Sequence, residues 1–298
     1  MKILVLGSEG QLGKCLQDQY SNSREDILFY SKKELDITNS MAVERVITSE
    51  QPKFIINASA YTAVDDAEDN KELANTINHL AVKSLSKQCF LKNIILLHVS
   101  TDYVFDGSSQ NPYTEKCLTN PVTEYGKSKL KGEKSIIKSN CRHIIIRSAW
   151  IFSEHGTNFF KTMLNLANSN KELSVVNDQI GAPTYAQDLA ILIKEIILYL
   201  EEDYDFKNWG IYNYCGDKEC SWFNFAEHIF LEAKKYGIKT PKKILPVSSV
   251  AYKTRAIRPK FSVLSNAKVI SIFGIEPSNW LEGISSSIKK MYAEEVNI

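Results

Sequence analysis

Ile3-Leu4-Val5-Leu6 runs straight into Gly7-Ser8-Glu9-Gly10-Gln11-Leu12-Gly13. An unbroken aliphatic run reads as a strand buried on both faces, the state of a central strand in a parallel sheet. The glycines Gly7, Gly10 and Gly13 follow it at intervals of three. Glycine lets the backbone turn tightly and come close to a diphosphate. The helix expected over residues 11–20 offers its free N–H groups to the same group. A tight turn without a ligand would use the same residues. The place of this one, after a strand and before a helix, favours the dinucleotide reading.

Further strands are expected at 27–30, 53–57, 94–99 and 144–147, with helical stretches between them. This alternation argues for an α/β fold with a doubly wound, mainly parallel sheet covered on both faces. At the end of the second strand, Ser31-Lys32-Lys33 offers a hydroxyl and two cations, which suit a 2′-phosphate better than a bare diol; such lysines also occur on any solvated loop. Asp36 or Thr38 is placed to cap a helix near 39–49. Ala58-Ser59-Ala60-Tyr61-Thr62 follows the third strand, and its small residues would let a cofactor lie against the backbone. Residues 71–92 have helical periodicity that sets Leu73, Ile77, Leu80, Ala81 and Leu85 on one side. The fourth strand ends in Ser100-Thr101-Asp102-Tyr103, whose hydroxyls suit a substrate carbonyl. Trp150 follows the fifth strand as a substrate contact or a packed aromatic.

Beyond residue 150 the pattern loosens. Val175–Gln179 and Gly181–Thr184 read as a loop before a helix at 186–200. A strand at 210–214 and an amphipathic helix at 222–236 come later. The expected division is 1–150 as the nucleotide domain and 151–298 as mainly a smaller C-terminal α/β substrate lobe, with some later segments returning to the sheet.

Tyr125-Gly126-Lys127-Ser128-Lys129 carries the chemistry. Four residues apart on a helix, Tyr125 and Lys129 share a face. A free phenol has a pKa near ~10, and a nearby cation lowers it, which is a way to make tyrosine exchange protons near neutrality. The bland reading of the same spacing is a solvated helix face. The formal charge of +1 gives no electrostatic case for nucleic acid or an anionic membrane. Six cysteines form no Cys-x-x-Cys, and the five histidines show no metal spacing, so a reduced, cytoplasmic setting and no protein-held metal are expected. No apolar run approaches the ~18 residues of a membrane helix, and the aliphatic run before Gly7 is too short for a signal-peptide core.

In this order Gly7-x-x-Gly10-Gln11-Leu12-Gly13, Leu35-Asp36-Ile37, Ser100 to Gly107, Tyr125 to Lys129, Arg147 to Phe152, Gly181-Ala182-Pro183-Thr184 and Arg258-Pro259 with Ser262 resemble the dTDP-4-dehydrorhamnose reductases. These are a branch of the extended short-chain dehydrogenase/reductases. The resemblance runs through nearly the whole chain. It implies a Rossmann-type fold, NADPH or NADH, and reduction of the C4 keto group of dTDP-4-dehydrorhamnose to dTDP-L-rhamnose. Tyr125 would donate the proton, Lys129 would lower its pKa and hold the nicotinamide ribose, and Thr101 would hydrogen-bond the sugar carbonyl. Gly7, Gly10, Gln11, Leu12 and Gly13 would line the diphosphate, Asp36 and Ile37 the adenine, and Ala60, Tyr61 and Thr62 the ribose and phosphates. Ser31, Lys32 and Val99 join the cofactor set. Thr101, Asp102, Tyr103, Trp150 and Arg258 would contact the dTDP-sugar, although Arg258 reads equally as a surface residue. Some family members bridge subunits through magnesium held by acidic side chains near the first helix. Cys15 is no such ligand, which argues against a magnesium-bridged dimer and leaves a homodimer open. Reduction of another nucleotide-linked 4-keto sugar is the alternative within this chemistry. A non-catalytic NADP-binding regulatory subunit is the alternative outside it, and a poised Thr101, Tyr125 and Lys129 argue against that one.

Overall fold

The computed structural model describes residues 1–169 and 172–292. The first half alternates β1 (Lys2–Leu6), α1 (Gln11–Tyr20), β2 (Asp26–Tyr30), α2 (Ser40–Glu50), β3 (Phe54–Asn57), α3 (Val64–Ala67), α4 (Lys71–Asn75), α5 (Val82–Leu91), β4 (Ile95–Thr101), α6 (Glu124–Ser139) and β5 (His143–Ser148). The second half continues with β6 (Ile151–Phe152), α7 (Phe159–Ser169), β7 (Glu172–Val176), β8 (Ile180–Gly181), β9 (Thr184–Tyr185), α8 (Ala186–Glu202) and β10 (Gly210–Asn213). It closes with β11 (Cys220–Ser221), α9 (Trp222–Lys235), β12 (Lys243–Val247), α10 (Ala267–Phe273) and α11 (Trp280–Tyr292).

Six strands form one sheet in the order β10-β5-β4-β3-β1-β2, every pair parallel. The aliphatic run of β1 explains why. Ile3 and Val5 point into a core shared with α1 and α8, while Leu4 and Leu6 point into a second core shared with α2, α5 and α6. With side chains alternating across the sheet, a strand apolar at every position must be covered on both sides. The chain moves from β1 outward to β2, then returns to place β3 on β1's other flank. The ends of β1 and β3 therefore flank the crevice where such sheets take ligands.

α8, β10 and α10 return to the sheet core, through Leu189, Ile193, Tyr212 and Val269. A third core forms from α7, α9 and α11 around Phe160, Phe225, Ile229 and Ile284. There β7 pairs with β12 in parallel. Val175 and Val176, expected in a loop, thus end a strand, because β12 supplies a ladder that no local pattern announces.

Two other expectations give way. The helix over 71–92 is interrupted by a π turn at Thr76–Ala81. The wider turn shifts the register, leaving Leu73 and Leu80 each 47% exposed while Asn78 is buried. Asn78 accepts from the Tyr61 N–H at 2.9 Å and donates to the Tyr61 carbonyl and to Ser128 Oγ, both at 3.0 Å. It thereby fixes the loop after β3 against α6. α2 is capped by Asn39, whose side chain accepts from the Ala42 N–H, while Asp36 is used by the Thr38 N–H and hydroxyl. Among the described residues no helix is long and apolar enough to cross a membrane.

Candidate active site

The ends of β1, β3, β4 and β5 open into a cavity of about 810 Å³. On one side stands the start of α1. Its N-cap is Gly10, with no side-chain cap, so its first N–H groups lack a protein side-chain partner. Gly10, Gln11 and Leu12 line the cavity there. Gly7 and Gly13 stand behind. A Cβ on Gly13 would come 2.3 Å from the Gly7 carbonyl oxygen, so the loop folds this tightly only with glycine at 13. An uncapped helix N-terminus under a close-folded glycine loop fits a diphosphate. Gln11 Oε1 accepts from Asn158 Nδ2 at 2.7 Å, tying this helix start to the second half of the chain.

Opposite, β4 and α6 bring Thr101, Tyr125 and Lys129 to the same cavity, with Val99, Asp102 and Tyr103 beside them. α6 is started by Thr123, whose side chain accepts from the Gly126 N–H. Thr101 Oγ1 donates to Asp102 Oδ1 at 2.9 Å and accepts from the Tyr103 N–H at 3.2 Å. The Tyr125 phenol stands beside Thr101 in this cavity, and Tyr103 packs edge-on against its ring at 5.5 Å. Burial pushes the Tyr125 phenol well up, and the neighbouring Thr101 hydroxyl pulls the other way. The expected lowering by Lys129 is absent, because the Lys129 head is turned to the strand. Its Nζ donates to the Val99 carbonyl at 2.6 Å and lies 3.5 Å from His98 Nε2. Burial brings Lys129 down to about 8, against the charge of Glu133. Burial likewise lifts Asp102 to about 6, eased by Thr101 and the neighbouring Ser262 hydroxyl.

Ala60, Thr62, Trp150 and Arg258 also line the cavity. Arg258 Nη2 donates to Asp65 Oδ2 at 2.8 Å and adjoins Tyr103, so it is neither free nor a plain surface residue. Trp150 has φ +48° and stacks on Trp222 at 3.4 Å and 7°. A Cβ on Gly181 would come 2.4 Å from the Trp150 ring, so the indole is held on both sides and no wholly open face is left for a sugar.

Seven expected cofactor residues lie outside the cavity lining: Gly7, Gly13, Ser31, Lys32, Asp36, Ile37 and Tyr61. Ile37 is buried at 7% exposure in the core beneath α2. Ser31 does not present free donors. Glu34 Oε2 accepts its N–H at 2.8 Å and its hydroxyl at 2.7 Å, so an acidic side chain does stand at the end of β2. Missed from the sequence were Trp222, Asn158, Gln179 and Tyr252, which line the cavity from the second half. Only Trp222 had a usable sign, an aromatic opening a helix behind the Ser221 capping box.

The residues near the first helix do not fit magnesium. Cys15 is fully buried, with burial raising its thiol to about 12. Among the described residues, Asp18, Glu154 and His155 bring ligand atoms within 4.8 Å of one another. Lys290 Nζ already lies 2.6 Å from Glu154 Oε1, filling with an ammonium the place a hard cation would need.

A family model described as RmlD substrate binding domain matches residues 1–293. A protein of Aggregatibacter actinomycetemcomitans named dTDP-4-dehydrorhamnose reductase is 39% identical over 98% of this chain and 99% of its own. Its namesake from Escherichia coli (strain K12) is 35% identical over 98% of both chains. The crystal structure of a Clostridium acetobutylicum dTDP-4-dehydrorhamnose reductase superposes with a TM-score of 0.89 at 36% identity, covering 98% of this chain and 99% of that one. The Bacillus anthracis enzyme, in complex with NADP, gives 0.88 at 34% identity over 97% and 99%.

Proposed function

This chain belongs to the RmlD substrate binding domain family, and from that premise we propose that it is an NAD(P)H-dependent oxidoreductase that reduces dTDP-4-dehydrorhamnose to dTDP-L-rhamnose. The observation that carries this is the meeting, in one cavity, of an uncapped helix start with Thr101, Tyr125 and Lys129.

The nicotinamide supplies the hydride; the protein orients and handles the proton. Gly10, Gln11 and Leu12 hold the diphosphate, with Ala60, Thr62 and Val99 along the coenzyme. As hydride reaches C4 of the sugar, charge builds on the carbonyl oxygen. Tyr125 gives that oxygen its proton, and its height in pKa makes it a phenol, not a phenolate, until then. Thr101 Oγ1 donates to Asp102 and stands beside the Tyr125 phenol, so that the two side chains face the same carbonyl oxygen. Lys129 serves the ribose side, its head anchored on the Val99 carbonyl. Asp102, Tyr103, Trp150 and Arg258 form the sugar-nucleotide side, with residues 1–150 serving mainly the coenzyme and 151–292 mainly the sugar. Residues 293–298, also assigned to that lobe, lie outside the described part. The enzyme works in the cytoplasm on this reading, and a homodimer is compatible with it.

The test is a coupled assay. Purified protein, dTDP-4-dehydrorhamnose and NADPH or NADH are mixed, nicotinamide absorbance is followed, and the product is identified by mass spectrometry and NMR. Turnover to dTDP-L-rhamnose is expected. Binding of NADP without turnover of this sugar, or faster turnover of another 4-keto sugar nucleotide, would overturn the assignment.

A further inference from the structure

His98 has no part in the chemistry above, yet it is wholly buried in β4 and its ring bridges two elements. Its Nδ1 lies 3.1 Å from Asn57 Nδ2, across the β3–β4 pairing, and its Nε2 lies 3.5 Å from Lys129 Nζ. Asn57 Oδ1 is already used: it accepts the Ser59 N–H at 3.1 Å. The amide therefore turns its NH2 toward the ring, and an NH2 only donates. His98 Nδ1 must accept, which puts the proton of the neutral ring on Nε2, pointing at the lysine. An N–H aimed at an ammonium repels it, whereas one aimed at a neutral amine meets a lone pair.

Resting on the reading of Lys129 as part of the machinery, we propose that Asn57 and His98 are positioning residues that aim an imidazole N–H at Lys129 and so favour release of its proton near neutral pH. Burial works in the same direction, and Lys129 stands at about 8. His98 is itself held well below the usual histidine range by burial and by the Lys129 charge, so the ring stays neutral. The other titratable groups acting on this pair are Glu133 of α6, which favours the ammonium, and His143 of β5, which acts against charge on His98. The Val99 carbonyl, 2.6 Å from Nζ, accepts an N–H from either state of the amine. In each turnover Tyr125 loses one proton to the substrate oxygen; a lysine that releases its own near neutrality can restore it and recover one from water.

Long-range 1H–15N NMR of the whole protein labelled at histidine reads the tautomer directly, without any substitution. His98 is expected as the Nε2–H form, unchanged across neutral pH; an Nδ1–H ring, or one that titrates there, overturns the proposal. The pH profile of kcat supplies the second test. His98→Gln lets an amide oxygen turn to Lys129, and Asn57→Asp reverses the tautomer so that Nε2 accepts. Both are expected to move the basic limb up by about one pH unit, with coenzyme KM within a few-fold of wild type. A uniform drop in rate with the limb unmoved in both would make His98 a packing residue only. Lys129→Met separates the two readings. If it abolishes turnover while the limb fails to move in the other variants, the catalytic assignment stands and this proposal falls. If it retains turnover, the assignment and this proposal fall together, whatever the tautomer.

Discussion

Glu133→Gln removes one charge from an ion pair almost wholly out of water, since the Arg147 and Glu133 side chains are 2% and 1% exposed. Glu133 accepts from Arg147 Nε at 3.0 Å, from Arg147 Nη2 at 2.7 Å and from Ser100 Oγ at 2.5 Å. Glutamine keeps the shape but turns one acceptor into an NH2, which must face a donor. Arg147 has nowhere else to go. Its Nη1 already lacks a partner and its plane lies over the Phe105 ring. Breaking a buried pair by removing one member costs roughly 3–5 kcal/mol, because the remaining charge is left uncompensated. Against a total stability of about 5–15 kcal/mol, that is a large share. The Arg255 pairs with Asp66 and Asp69 have geometry as short, but Arg255 is 58% exposed, and such pairs are worth about 0–1 kcal/mol. Urea unfolding followed by tryptophan fluorescence and circular dichroism gives both numbers by linear extrapolation. Glu133→Gln is expected to lose several-fold more stability than Asp66→Asn, and Glu133→Leu with Arg147→Met is expected to regain much of the loss. Because Glu133 also favours the Lys129 ammonium, the basic limb of kcat should move down in Glu133→Gln. Equal effects at Glu133 and Asp66, or two single losses that simply add in the double variant, would refute the reasoning.

Tyr125→Phe should keep coenzyme binding and lower turnover by at least ~10²-fold, the scale of a lost general acid; single-turnover kinetics check it, and near-normal kcat would remove Tyr125 from the mechanism. Glu34 occupies the Ser31 donors, so wild type should use both coenzymes, and Glu34→Gln should lower KM for NADPH relative to NADH by up to about tenfold, the worth of ~1.4 kcal/mol. Steady-state KM values for the two coenzymes decide this, and an unchanged ratio would show that Glu34 does not compete with the 2′-phosphate. Trp150→Ala should cost roughly 1–3 kcal/mol in kcat/KM for the keto sugar with little change toward coenzyme, and Trp222→Ala should follow it because the two rings form one stack. Wild-type parameters in both would take the aromatic pair out of the sugar site.

The parts that were readable from the sequence are those whose cause is local. β1 must be central because each of its positions is apolar, and α1 must begin at the glycine loop because the strand ends there. The Tyr125–Lys129 spacing and the strand-end Thr101 were readable for the same reason, and all three reach one cavity. What was not readable depends on partners distant in the chain. β7 needs β12. The π turn is fixed by Asn78 bonding to Tyr61 and Ser128. Ile37 was read with Asp36 as an adenine contact, and that its side chain packs into the core beneath α2 was not readable from the tripeptide. At the end of β2 a neutral-to-basic tripeptide hid an acid three residues on, because the turn folds Glu34 back onto Ser31. The effect of Lys129 on Tyr125 was sought in their spacing, whereas the lysine head is held by β4.

The central claim is hydride transfer to a sugar carbon with the proton coming from Tyr125. It is tested most directly by running one reaction with nicotinamide coenzyme deuterated at its hydride position and reading the product by NMR. Deuterium is expected at C4 of the rhamnose, at one face only, with Tyr125→Phe slowing the same transfer. Product carrying no deuterium at C4, or no rhamnose formed while the coenzyme binds, would contradict it.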